Sequence, residues 1–194
     1  SEKDREQFRK VMGEYMVVQE QMSHRPEGFF NRAILFSATG GNEVAEGLYK
    51  DCIRRFPDFV PAYSNLTDLY RQQGREDEVK KITDMGLRCQ PKSAYLHYSL
   101  GLWHIRQQDN IKGLNELKLA AQYAPADAQM QYGYAIGLFS GGEQKKALQM
   151  LEDFVGKYGN RSLILDGIIS MSQDLGQADK AAKYSSIRKE VFGY

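Results

Sequence analysis

Glycine recurs at Gly40, Gly74, Gly142 and Gly176, and proline at Pro57, Pro91 and Pro125, in steps of 34 residues or twice 34. The position missing from the glycine series holds Gln108. The proline series extends back to Ser23 and forward to Gly159 and Gly193. A third series, mostly of small residues, runs through Ala45, Val79, Gly113, Ala147 and Ala181. Three series sharing one stride and holding phase restrict the fold to one supersecondary unit repeated along the chain.

The spacing within a unit predicts two short helices around a glycine turn. Glycine just past the first helix supplies a left-handed residue. The small residue five positions later lets the two helices approach closely. Proline ends the second helix or sets the corner before the next. In one unit Tyr63, Leu66, Leu69 and Tyr70 fall at helical spacing, followed by Val79, Ile82, Met85 and Leu87. No stretch shows sustained strand alternation. The predicted pairs are 26–39 with 42–56, 60–73 with 76–89, 94–107 with 110–123, 128–140 with 143–157, and 162–175 with 178–192. Such hairpins bury their apolar faces only by stacking, so the expected fold is all-α: a right-handed superhelical α-solenoid with a concave side. The expected organisation is five units, 26–59, 60–93, 94–127, 128–161 and 162–194, preceded over 1–25 by a helix that is either a simple N-terminal helix laid on the first unit or the second helix of a truncated repeat.

Charge narrows the function. Lys plus Arg total 26 against 25 Asp plus Glu, a net charge of +1. That balance argues against a dedicated binder of nucleic acid or anionic membrane. No apolar run approaches the ~20 residues of a membrane span. The first residues, from Ser1 to Glu6, are mostly charged and unlike a signal peptide. The chain starts without Met, which is expected of a processed product or an excised piece.

The repeated pattern resembles the tetratricopeptide repeat (TPR) family. The resemblance is carried by Phe29, Ala33, Phe36, Ala45, Tyr49, Cys52 and Pro57 in one unit, and by Tyr63, Leu66, Tyr70 and Pro91 in the next. It continues through His97, Leu100, Gly101, His104, Leu117, Ala120 and Pro125, then Tyr134, Ala135, Leu138, Ala147 and Leu151, then Ile168, Gly176, Ala181 and Tyr184. Departures are Arg32, Thr67, Gly113 and Gly159. The resemblance implies a non-enzymatic scaffold that holds a protein or peptide in a groove lined by the first helices. By the family's offsets, the groove residues are Phe30, Asn31, Asn65, Asp68, Arg71, Gln72, Tyr95, Tyr98, Arg106, Tyr132 and Phe139. Asn31 and Asn65 hold the offset where relatives grip a peptide backbone, since an amide both donates and accepts. The Lys and Arg of a carboxylate clamp are mostly missing, which disfavours a C-terminal tail as ligand. The bland alternative is that some of these tyrosines only pack between helices.

A narrower resemblance is to TPR segments that follow bacterial multihaem c-type cytochrome domains. It rests on Arg25-Pro26-Glu27, Phe59-Val60-Pro61-Ala62, Asn65 to Arg71 and Leu100-Gly101-Leu102. It would imply a periplasmic location, in place of a cytoplasmic one, and a structural or assembly role as part of a larger protein. The Cys-x-x-Cys-His motif is absent, so no covalent haem is expected here.

No other chemistry stands out. His97 and His104, seven apart on one helix, are ~10 Å apart along its axis, too far to share a metal. Cys52 and Cys89 fit no zinc or redox spacing and read as free thiols, with an inter-repeat disulfide as the alternative in an exported protein. Gly40-Gly41 and Gly141-Gly142 are turn punctuation. No catalytic constellation, metal site or cofactor is expected. At the ends, apolar Phe8, Val11, Met12, Tyr15, Met16, Val18 and Met22 cover a wide arc of the first helix. Ile187, Val191 and Phe192 have no following helix, so they either curl back onto the last unit or meet a second copy as a homodimer.

Overall fold

The computed structural model describes residues 2–21 and 24–193, with side chains from residue 6 onward except positions 8, 9 and 19–21. Phe8 as a side chain, Met22 and Ser23 therefore lie outside the described residues. Eleven helices and no strand occur among the described residues. They are α1 (Glu2–Gln21), α2 (Pro26–Ala38), α3 (Asn42–Arg55), α4 (Val60–Gln72), α5 (Glu76–Cys89), α6 (Ala94–Arg106), α7 (Asn110–Tyr123), α8 (Ala128–Ser140), α9 (Gln144–Tyr158), α10 (Ser162–Asp174) and α11 (Ala178–Phe192). Helix pairs recur at the predicted places, with ends shifted by a residue or so.

The punctuation works as its chemistry requires. Gly40, Gly74, Gly142 and Gly176 all have φ between 69° and 91°, a region that glycine enters without a Cβ penalty. Gln108 takes the same turn position at φ 64°. Pro26 and Pro61 stand in the first turns of α2 and α4, where a missing N–H breaks no intrahelical bond. Asp127 caps α8 by accepting from the N–H of Gln129 at 2.8 Å and of Met130 at 3.2 Å.

The chain forms two compact units, Ser1–Pro91 and Lys92–Tyr194. In the first, α1 packs on α2, α2 pairs with α3 and α4 with α5; α4 packs on α3 and also touches α2. In the second, α6 pairs with α7, α8 with α9 and α10 with α11. Here α7 packs on α8 and α9 on α10, while the first helices α6, α8 and α10 touch in sequence. Within each unit, successive hairpins thus cover one another's apolar faces.

The tightest crossing joins α6 and α7. A Cβ on Gly101 would sit 3.0 Å from the carbonyl oxygen of Gly113, and one on Gly113 would sit 3.1 Å from that of Gly101. Two glycines let the backbones meet. The equivalent crossing of α4 and α5 carries Thr67 and buried Thr83, whose hydroxyls lie 3.3 Å apart. Thr83 went unanticipated, while Met85, read from the sequence as apolar packing, is exposed.

The ends divide. Ile187 and Phe192 pack against the core built from Leu151, Phe154, Ile164, Leu165 and Ile168, while Val191 stays exposed. On α1, Met12 and Met16 are half-buried, and Val11, Tyr15 and Val18 are exposed.

Candidate functional site

The predicted groove residues fall on first helices of both units. On α2, Phe30 is half-buried, its ring set edge-on to Phe59 at 5.2 Å and tilted against Tyr49 at 6.1 Å. Asn31 beside it is half-buried. On α4, Asn65 is half-buried, Asp68 accepts from the Arg71 guanidinium at 3.2 Å, and Gln72 is exposed. The Asp68–Arg71 pair pre-orients the guanidinium along the helix, at little energetic gain for so exposed a pair.

In the second unit, Tyr95, Tyr98 and Arg106 stand on α6, and Tyr132 and Phe139 on α8. Tyr95 is half-buried and Arg106 exposed. Phe139 packs against the unit's apolar core. Tyr98 and Tyr132 are brought together in one trough of about 510 Å³. Its apolar walls are Leu102, Ile105, Ile111, Leu114 and Ile136.

Two glycines of α8 shape this trough. A Cβ on Gly133 would fall 2.4 Å from Cε2 of Tyr98, and one on Gly137 would fall 2.9 Å from Cδ1 of Leu114. The Tyr132 ring lies in the same way on Gly167 of α10, where a Cβ would sit 2.8 Å away. These tyrosines therefore pack between helices and line this trough at once. Sequence reasoning missed Gly133, Gly137 and Ile111. The signal was present for Ile111, a large apolar residue at the polar start of α7 and 79% exposed.

The titratable groups are arranged for structure. His97, buried on α6, faces Glu116 of α7 at 2.6 Å and packs on the Tyr123 ring. His104 stands edge-on to Trp103. Glu46 accepts from Arg75 at 2.6 Å, Lys50 at 2.6 Å and Tyr70 at 3.0 Å. The Arg75 guanidinium, chiefly, holds the Glu46 carboxyl down at about 2. Burial pushes the Cys52 thiol up to about 11, which keeps it inert. Cys89 is a free thiol, partly exposed. Among the described residues no cluster of three His, Cys, Asp or Glu could hold a metal, and no helix is long and apolar enough to cross a membrane.

No family model matches the sequence, and no curated protein matches it. Solved structures do. YrrB, a TPR protein with an unusual peptide-binding site, aligns with a TM-score of 0.60 at 17% identity, over 90% of each chain. PilF of Pseudomonas aeruginosa aligns with a TM-score of 0.68 at 15% identity, over 87% of this chain and 77% of its own. Yeast Tom70 aligns with a TM-score of 0.77 at 14% identity, over 92% of this chain and 39% of its own. At such identities the likeness bears on the fold, and not on the cytochrome-associated segments. Helix pairs at a 34-residue stride, left-handed residues at their turns and stacking of successive pairs within each unit give this chain the tetratricopeptide-repeat fold.

Proposed function

We propose that this chain is a protein-interaction scaffold, and that the trough between α6, α7 and α8 receives apolar side chains of a partner polypeptide. One observation carries this reading: Tyr98, Leu102, Ile105, Ile111, Leu114, Tyr132 and Ile136 converge on one open trough with Ile105, Ile111 and Ile136 still exposed. An apolar surface of this kind gains by covering, and rigid aromatics supply contact area at low entropic cost. The trough itself contains no ionisable carboxylate, imidazole or thiol, which favours binding over catalysis. Phe30, Asn31, Asn65, Asp68, Arg71 and Gln72 form a second, more polar set within the first unit, suited to gripping a peptide backbone.

Peptides selected on the full chain test this. Ile111→Glu and Ile136→Glu change exposed positions and leave folding intact. Each is expected to weaken capture of the selected peptides at least tenfold. Undiminished capture by both variants overturns the reading.

The exposed stripe of Val11, Tyr15 and Val18 on α1, with Val191 on α11, supports a second reading: self-association through the chain ends. A monomeric mass at high concentration counts against it, and Val18→Glu should abolish any dimer seen.

A further inference from the structure

A second cleft lies wholly within the first unit, lined by residues of α3, α4 and α5. It encloses about 610 Å³, within the range of small-molecule sites. Ile53, Pro57, Ile82 and Met85 give it apolar walls, and the buried rings of Tyr63 and Tyr70 line it as well. The charged residues on it are Lys50, Arg54, Arg75, Lys81 and a single acid, Glu78.

The cations are not equally committed. Arg75 is fully engaged, bridging Glu46 and Glu78 at 2.6 and 2.9 Å. Lys50 shares Glu46 with Arg75 and Tyr70, so Glu46 keeps two donors if Lys50 turns away. Arg54 is exposed and its ion-pair partner among the described residues is Asp51, an interaction worth little in water. Lys81 is exposed and has no ion-pair partner among the described residues. Three cationic side chains can therefore turn toward a ligand without orphaning a buried acid.

We propose that this cleft binds a small amphiphilic anion, an apolar chain or ring carrying one carboxylate-like head. The apolar body lies along Ile53, Pro57, Ile82 and Met85, and the head is held by Lys50, Arg54 and Lys81. Burial of the body supplies the affinity, and the cations set the sign of charge accepted.

Cys89 lines the same cleft, its Sγ 3.7 Å from the Tyr63 hydroxyl, and serves as a native reporter. The other cysteine, Cys52, is fully buried. The experiment follows the rate at which N-ethylmaleimide labels Cys89 in the full chain, read by mass, against dodecanoate below its micellar concentration. Dodecanoate should slow labelling saturably. Each methylene removed from the chain should weaken protection about fourfold. Dodecylamine of the same length should protect at least tenfold less. Met85→Glu and the double variant Lys50→Glu/Lys81→Glu alter exposed side chains, and each should weaken protection at least tenfold with helical circular dichroism unchanged. Absent protection, equal protection by the amine, or protection indifferent to both variants overturns the proposal. Peptide capture by the α6–α8 trough is a separate readout, so the two sites fail independently.

Discussion

The hydroxyls of Thr67 and Thr83 meet 3.3 Å apart in a fully buried contact between α4 and α5. Each is the other's partner, so removing one leaves a polar group dry and unpaired. Thr83→Val should therefore destabilise the protein by about 1–2 kcal/mol. The double variant Thr67→Val/Thr83→Val replaces both groups by isosteric methyls and should recover most of that loss. Urea unfolding of the three variants measures the coupling; additive losses would show that the hydroxyls do not act as a pair.

Gly133 is a seat for the Tyr98 ring. Gly133→Ala places a methyl inside that ring's space and should cost about 1–2 kcal/mol, since overpacking outweighs the gain in helix propensity. Gly47 is the control: it is helical and exposed, with nothing within 4 Å of an added Cβ. Gly47→Ala should stabilise by about 0.5–1 kcal/mol. Thermal unfolding separates the two signs.

Acid should weaken the first unit through Glu46. Its carboxyl lies at about 2 in the folded chain against an ordinary 4.5, so the folded state holds the charged form more strongly. The stabilisation is present above about 4.5 and is lost as pH falls toward 2. After allowance for solvent screening it amounts to roughly 1–2 kcal/mol. Glu46→Gln should lower stability at neutral pH and flatten the acid limb. Parallel pH profiles for the two proteins would refute the assignment.

Gln108 occupies a left-handed turn that glycine fills at Gly40, Gly74, Gly142 and Gly176. A side chain there costs about 1–2 kcal/mol, partly offset because glycine loses more freedom on folding. Gln108→Gly should raise stability by about 0.5–1 kcal/mol, and Gly74→Gln should lower it by about 1 kcal/mol. Denaturant midpoints with unchanged slopes decide the matter.

Helix positions were legible because they depend on local punctuation. The 60–73 stretch, bounded by Pro61 and Gly74, folds as Val60–Gln72. Side-chain partnerships were not. Glu46 meets Arg75 across 29 residues, and Tyr98 meets Gly133 across 35; neither separation is a multiple of the stride. Offsets alone put Tyr98 and Tyr132 at corresponding places on neighbouring first helices, but their glycine seats need the spacing between neighbouring backbones. The cleft beside Cys89 was illegible for the same reason: Lys50, Tyr63 and Met85 sit on three helices whose separation no single segment records.

The two tyrosines and their seats also fix an order. Tyr98 belongs to one hairpin and Gly133 to the next; Tyr132 belongs to that hairpin and Gly167 to the one after. The α8–α9 hairpin therefore carries a tongue on one side and a slot on the other. Modules cut from this half of the chain are not interchangeable bricks. A shuffled or duplicated array keeps its joints only where a ring is followed by a vacancy one position further along the succeeding copy.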